Sequence, residues 1–121
     1  MPRFSASMLI AISALLVLPA PVWAHAHLKQ AEPADHAQVS TTSAVKLTFS
    51  EGLNLAFSGI KLTGPAMQQV TLGQPALSND GKTLSASPAG KLAPGSYQLD
   101  WHVLSVDGHK TKGTYHFTVT P

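Results

Sequence analysis

Histidine is the residue type in this sequence best suited to chemistry. The chain holds six, His25, His27, His36, His102, His109 and His116, and no cysteine. Beyond residue 24 its one methionine is Met67. Imidazoles without thiolates suit a borderline, nitrogen-preferring cation such as Cu(II) or Zn(II), and do not suit a soft thiolate or thioether site for Cu(I). Of the six, His109 stands in "SVDGHK", two residues after Asp107. Side chains two apart in an extended segment point to one side. A carboxylate and an imidazole would then meet at the end of a hairpin, with Gly108 leaving the backbone free to adjust. A plain Asp-Gly turn carries the same dipeptide, so this motif alone does not specify a metal. His102 and His116 fall on the polar faces of alternating runs, and His36 follows "EPAD" in a turn. These three read as solvated surface histidines.

His25 gains its interest from what precedes it. Arg3 is followed by an uncharged apolar stretch, Ala6 to Leu18, and then by Val22-Trp23-Ala24. The stretch is shorter than the roughly 20 residues a membrane-spanning helix needs. A basic start, a short apolar segment and a small-x-small end describe a cleaved secretory signal peptide over residues 1–24. His25 would then be the first residue of the exported chain and would own a free α-amine beside its imidazole. The amine and Nδ1 can close a six-membered chelate ring on one cation. A second imidazole from elsewhere would complete a nearly planar three-nitrogen set, which suits Cu(II), and Asp107 could add an oxygen. This arrangement is a histidine brace. A rival uses the same amine: in His25-Ala26-His27 the amine, two deprotonated amides and the His27 imidazole form a square for Cu(II) or Ni(II).

The elements that must position these residues read as short strands. "AVKLTFS" turns Val45, Leu47 and Phe49 to one face; "SGIKLTG" does so with Ile60 and Leu62, and "QQVTLG" with Val70 and Leu72. "SYQLDWHVLS" sets Tyr97, Leu99, Trp101 and Val103 inward, and "GTYHFTVT" sets Tyr115, Phe117 and Val119 inward. Such a period of two over short runs indicates half-buried antiparallel strands. Gly- and Pro-containing segments, "TGPA", "SNDGK", "LAPGSY" and "DGHKTKG", separate the runs. "LNLAF", Leu53 to Phe57, fits either a short strand or a loop. No amphipathic helix of useful length is evident. The expected fold is all-β, a single small β-sandwich, immunoglobulin-like, or Greek-key barrel over residues 25–121.

Several ordered motifs together make the chain resemble the CopC family of periplasmic copper-binding proteins. They are "HAHLKQAEPAD" at the start, "VKLTFSEGL" and "FSGIKL" in the middle, and "LAPGSYQLDWHVLSVDGHKTKGTYHFTV" at the end. The resemblance implies a small Greek-key β-barrel, or cupredoxin-like sandwich, and a Cu(II) site built from His25, through amine and ring, with Asp107 and His109. It implies an outer-sphere role for Glu51, the glutamate of the Ser-Glu motif, and leaves His27 as a neighbour outside the brace. Some members carry a methionine-rich loop for Cu(I). With Met67 alone, that second site is missing here.

The function expected is periplasmic Cu(II) binding in copper homeostasis or resistance. The protein would sequester copper or deliver it to a CopD-like inner-membrane partner. Nucleic acid is excluded as a partner: without residues 1–24 the chain carries seven Lys and Arg against six Asp and Glu, and no basic cluster. Two further readings are an oxidative copper enzyme acting on polysaccharides and a β-sandwich adhesion module without metal. The first needs an open copper position and an aromatic surface, whereas Asp107 would occupy a position and most aromatic residues face inward. The chain therefore reads as a binding protein and not an enzyme.

Overall fold

A computed structural model describes residues 26–121. The expected signal peptide, its cleavage point after Ala24, and His25 lie outside the described residues.

Among the described residues nine strands form two sheets. They are β1 (Leu28–Glu32), β2 (Gln38–Val39), β3 (Val45–Phe49), β4 (Gly59–Thr63), β5 (Gln69–Val70), β6 (Ala76–Leu77), β7 (Thr83–Ala86), β8 (Gly95–Leu104) and β9 (Lys110–Val119). One sheet runs β1-β3-β7-β6 and the other β2-β9-β8-β4-β5. β2 pairs with β9 in parallel, and the other pairings are antiparallel. The all-β sandwich expected from the alternating runs is the fold observed.

The core sits between the sheets. Val45, Leu47, Phe49 and Leu84 project from the first sheet, and Leu62, Leu99, Val103 and Phe117 from the second. Each fully buried Leu, Val or Phe contributes about 1.5–3 kcal/mol relative to exposure. Tyr97 stacks on Phe117 with ring centroids 5.4 Å apart, and Phe49 meets Trp101 edge-on at 5.0 Å. Gly113 lies opposite Trp101 in the β8–β9 ladder. A Cβ there would stand 2.5 Å from the indole, so only glycine admits the ring.

Two strands that carry the first sheet were not evident as alternating runs. β7 has only Leu84 and Ala86 to mark its inner face. β1 has a register shift between Leu28 and Gln30, and such a bulge breaks the period of two. The ambiguous "LNLAF" resolves as an isolated bridge, Leu53 to Ser105, followed by a 3₁₀ turn over Leu55–Phe57. "QQVTLG" is a strand only over Gln69–Val70, and Leu72 forms an isolated bridge to Pro88. The longest feature is the β8–β9 hairpin, ten residues on each side, with residues 105–109 at its tip.

Candidate metal centre

The hairpin tip folds "SVDGH" into a closed turn. Gly108 takes φ +92°, a conformation L side chains avoid, and its N–H donates to the Ser105 carbonyl at 2.9 Å. The Ser105 N–H donates to the His109 carbonyl at 2.9 Å. Ser105 is fully buried, and its hydroxyl donates to Asp107 Oδ1. The same Oδ1 accepts from the His109 backbone N–H at 3.2 Å and lies 3.1 Å from His109 Nδ1. The expectation that Asp107 and His109 would meet at a hairpin end is what the turn displays.

This web has two chemical consequences. The Ser105 hydroxyl, aided by the His109 side-chain and backbone donors, holds the Asp107 carboxyl below its ordinary value despite partial desolvation. Asp107 is therefore an anion at neutral pH. A neutral His109 that donates from Nδ1 carries its lone pair on Nε2, the nitrogen a cation would take. A carboxylate that holds the far ring nitrogen is a common support for a metal-binding histidine. Among the described residues these three bonds converge on Oδ1, and Oδ2 can offer an oxygen to a cation. The donor set fits a borderline divalent metal. Among the described residues Asp107 and His109 are a pair, and no group of three His, Cys, Asp or Glu comes together.

Two chain segments close around this tip. The Val106 N–H donates to the Gly52 carbonyl at 2.9 Å, and Leu53 bridges Ser105. The Ser50–Leu53 loop, which carries half-buried Glu51, thus lies against the turn. Ser50 also clasps the start of the described chain. Its Oγ accepts from the His27 N–H at 2.9 Å, and its own N–H donates to the His27 carbonyl at 2.9 Å. Ala26 is buried, and its carbonyl accepts from Thr111 Oγ1 at 3.2 Å, two residues past His109.

Among the described residues, His36, His102 and His116 form no hydrogen bond or ion pair with the turn. His36 pairs with Asp35 in a distant turn, His116 Nε2 lies 3.3 Å from Gln98 Oε1, and exposed His102 lies over Gly59. The roles of Ser105, Ser50 and Thr111 were missed by sequence reasoning. Ser105 alone left a signal, a hydroxyl two residues before Asp107.

Comparison with known proteins identifies the family and the fold. The sequence model of the CopC domain matches residues 28–120. The chain is 51% identical over 106 residues to the protein YobA of Escherichia coli strain K12, covering 86% of this chain and 85% of that one. It is 35% identical over 123 residues to copper resistance protein C of Xanthomonas campestris pv. juglandis, covering 97% and 96%. The crystal structure of PcoC, a methionine-rich copper resistance protein from Escherichia coli, matches with a TM-score of 0.73 at 35% identity, covering 80% of this chain and 100% of that one. The matched span takes in every strand, the Ser50–Leu53 loop and the Asp107-Gly108-His109 turn, and the chain belongs to the CopC family.

Proposed function

We propose that this protein is a periplasmic Cu(II) carrier that acts in copper homeostasis or resistance. It sequesters the ion or passes it to a CopD-like inner-membrane protein. Its ligands are His25, through α-amine and ring, with Asp107 and His109; Glu51 acts from outside the ligand set. His109 binds through the ring nitrogen opposite the one held by Asp107. The observation that carries this reading is the Asp107–His109 pair, 3.1 Å apart and fixed by a buried serine. The tie from Ala26 to Thr111 supports it, because Ala26 is one peptide bond from His25 and Cα atoms so linked stand about 3.8 Å apart. Relatives named as copper resistance proteins supply the copper. The chain's one methionine beyond residue 24 is exposed Met67, so it offers no cluster of thioethers for Cu(I). Bound copper is cargo and no substrate is turned over.

The test is the exported protein itself. Mass spectrometry is expected to find a chain that starts at His25 and takes up one equivalent of Cu(II). One added glycine before His25 moves the amine away, and affinity is expected to fall about 10²-fold, the equivalent of about 3 kcal/mol. Unchanged affinity in that variant overturns the brace. Acid should also release the ion. Nitrogen donors must shed protons to bind, and free imidazoles and α-amines ordinarily titrate near 6.5 and 8. Competition titrations between about pH 7 and about pH 5 should show affinity falling with acid; a flat profile rules out nitrogen ligation.

A further inference from the structure

The large apolar side chains that the described residues leave exposed are Leu55, Phe57, Met67 and Val106. All but Met67 lie at the hairpin-tip end. Phe57 is 61% exposed, yet its turn is rigidly held. Asn54 Oδ1 accepts from the Ala56 N–H at 3.1 Å, and the Asn54 N–H donates to the Leu104 carbonyl at 2.8 Å. Ser58 Oγ donates to the Asn54 carbonyl at 2.8 Å and accepts from the Leu104 N–H at 3.1 Å. A large ring kept in water on a fixed platform marks a contact surface more than a loose loop does.

Beside Phe57 lies a cleft of about 580 Å³, lined by Ala56, Val103, His102, Lys110 and Lys112 among others. Ala56 and Phe57 supply its apolar lining and Lys110 and Lys112 its cations, while the Val103 side chain is buried in the core. His102 and Lys112 are cross-strand partners, and the His102 ring is seated over Gly59, where a Cβ would come within 2.8 Å of it. Among the described residues no carboxylate forms an ion pair with Lys110 or Lys112. Asp100, on the same sheet face, accepts from Thr114 Oγ1 at 2.5 Å and from Gln98 Nε2 at 3.1 Å.

We infer that this cleft docks a partner protein through a segment that presents an apolar side chain flanked by carboxylates. The apolar side chain packs against Ala56 and Phe57, and the carboxylates meet Lys110 and Lys112. Charge complementarity chooses the acidic flank, and the concave shape chooses a protein segment. A flat membrane surface cannot fill a concave cleft, and two lysines attract anionic lipid only weakly. Lys110 follows His109 directly, so a docked segment sits beside the candidate ligand. That the docked protein receives copper rests on the carrier reading; the docking itself does not.

The test is an NMR titration of the metal-free exported protein with the synthetic peptide Gly-Glu-Phe-Glu-Leu-Glu-Gly. Shifts are expected at residues 56–57, 102–103 and 110–112. Binding should weaken about tenfold between low salt and about 0.5 M salt, as surface charges become screened. Phe57→Ser and Lys112→Glu should each weaken it several-fold. A peptide with lysine in place of glutamate should not bind. Equal binding of the lysine peptide, or shifts confined to other faces, overturns the inference. So does preferential binding of anionic phospholipid vesicles through these residues, or a dimer of the chain that buries them. Because the docking is read without metal, its failure leaves copper binding standing, and a Cu(II) titration fails or succeeds separately.

Discussion

Two turns of this molecule each hold an aspartate beside a histidine, and they are built differently. In the turn after β1, Asp35 and His36 are adjacent, with His36 at φ 63° and the side chains 3.4 Å apart. The imidazole there is 83% exposed, against 47% for His109. Asp35 turns Oδ1 to the backbone N–H of His116, which fastens the turn to β9 and leaves the ring of His36 in water. At the hairpin tip the direction is reversed. A buried serine and a backbone N–H fasten the carboxylate, and the carboxylate in turn fastens the ring. An Asp–His pair is thus common chemistry. What separates a candidate ligand pair from a surface pair is whether the contacts aim the side chains or merely tether the loop.

The widest separation between the turns should appear in copper affinity. His109→Ala removes a nitrogen donor and is expected to weaken Cu(II) by about 10²- to 10³-fold, equivalent to about 3–4 kcal/mol. His36→Ala should leave affinity within about twofold, because exposed substitutions away from a site change little. Competition titrations with a chelator measure both. Comparable losses in the two variants would erase the distinction between the turns.

Ser105→Ala sharpens the comparison by leaving the pair in place and removing what aims it. Residues that orient ligands typically cost about 10- to 100-fold in metal affinity when lost, and the lower end is expected here. Loss of the buried hydroxyl should also cost about 1–2 kcal/mol of fold stability. The diagnostic readout is the Asp107 carboxyl, followed by NMR. Its folded value is depressed, so its ionised form favours the folded state above the unfolded value and that contribution is lost as pH falls through the folded value. In Ser105→Ala the titration should move up toward the ordinary carboxylate range, and the acid-side loss of stability should shrink. An Asp107 titration that stays low assigns the depression to His109 instead.

The strands with a full inner face were legible before any coordinates. Val45, Leu47 and Phe49 of β3 and Tyr115, Phe117 and Val119 of β9 alternate because each strand buries one side only. β1 hides the same physics behind its bulge, and β7 is too short to show it. The Asp107–His109 pair was legible because it is local, spanning two residues. Its supports were not. The Ser105 hydroxyl reaches Asp107 only once Gly108 closes the turn, and the clasp between Ser50 and His27 joins residues 23 apart in sequence. The exposed platform of Phe57 was equally hidden, since a hydrophobic run in the sequence does not reveal which of its members the fold leaves in water.

The smallest expected effect concerns His27, which the sequence sets beside His25 as an apparent equal. An amino-terminal square for Cu(II) needs the His27 amide nitrogen as a deprotonated ligand. In the fold that N–H donates to Ser50 Oγ, the His27 carbonyl accepts from the Ser50 N–H, and Ala26 is buried with its carbonyl held by Thr111. Forming the square would remove the His27 amide proton and with it the bond to Ser50 Oγ, at a chain start that the carbonyl bonds hold in place. That route competes poorly with the proposed ligands at the hairpin tip, so His27→Ala should change Cu(II) affinity by less than about threefold, equivalent to less than about 0.7 kcal/mol. The visible spectrum of the bound ion gives a second readout, because a square with two deprotonated amides imposes a different ligand field from one amine, two imidazoles and a carboxylate. A large loss in His27→Ala, with a spectrum that His109→Ala leaves unchanged, would transfer the site from the hairpin tip to the strand start. Ser50 would then be the residue that restrains metal uptake.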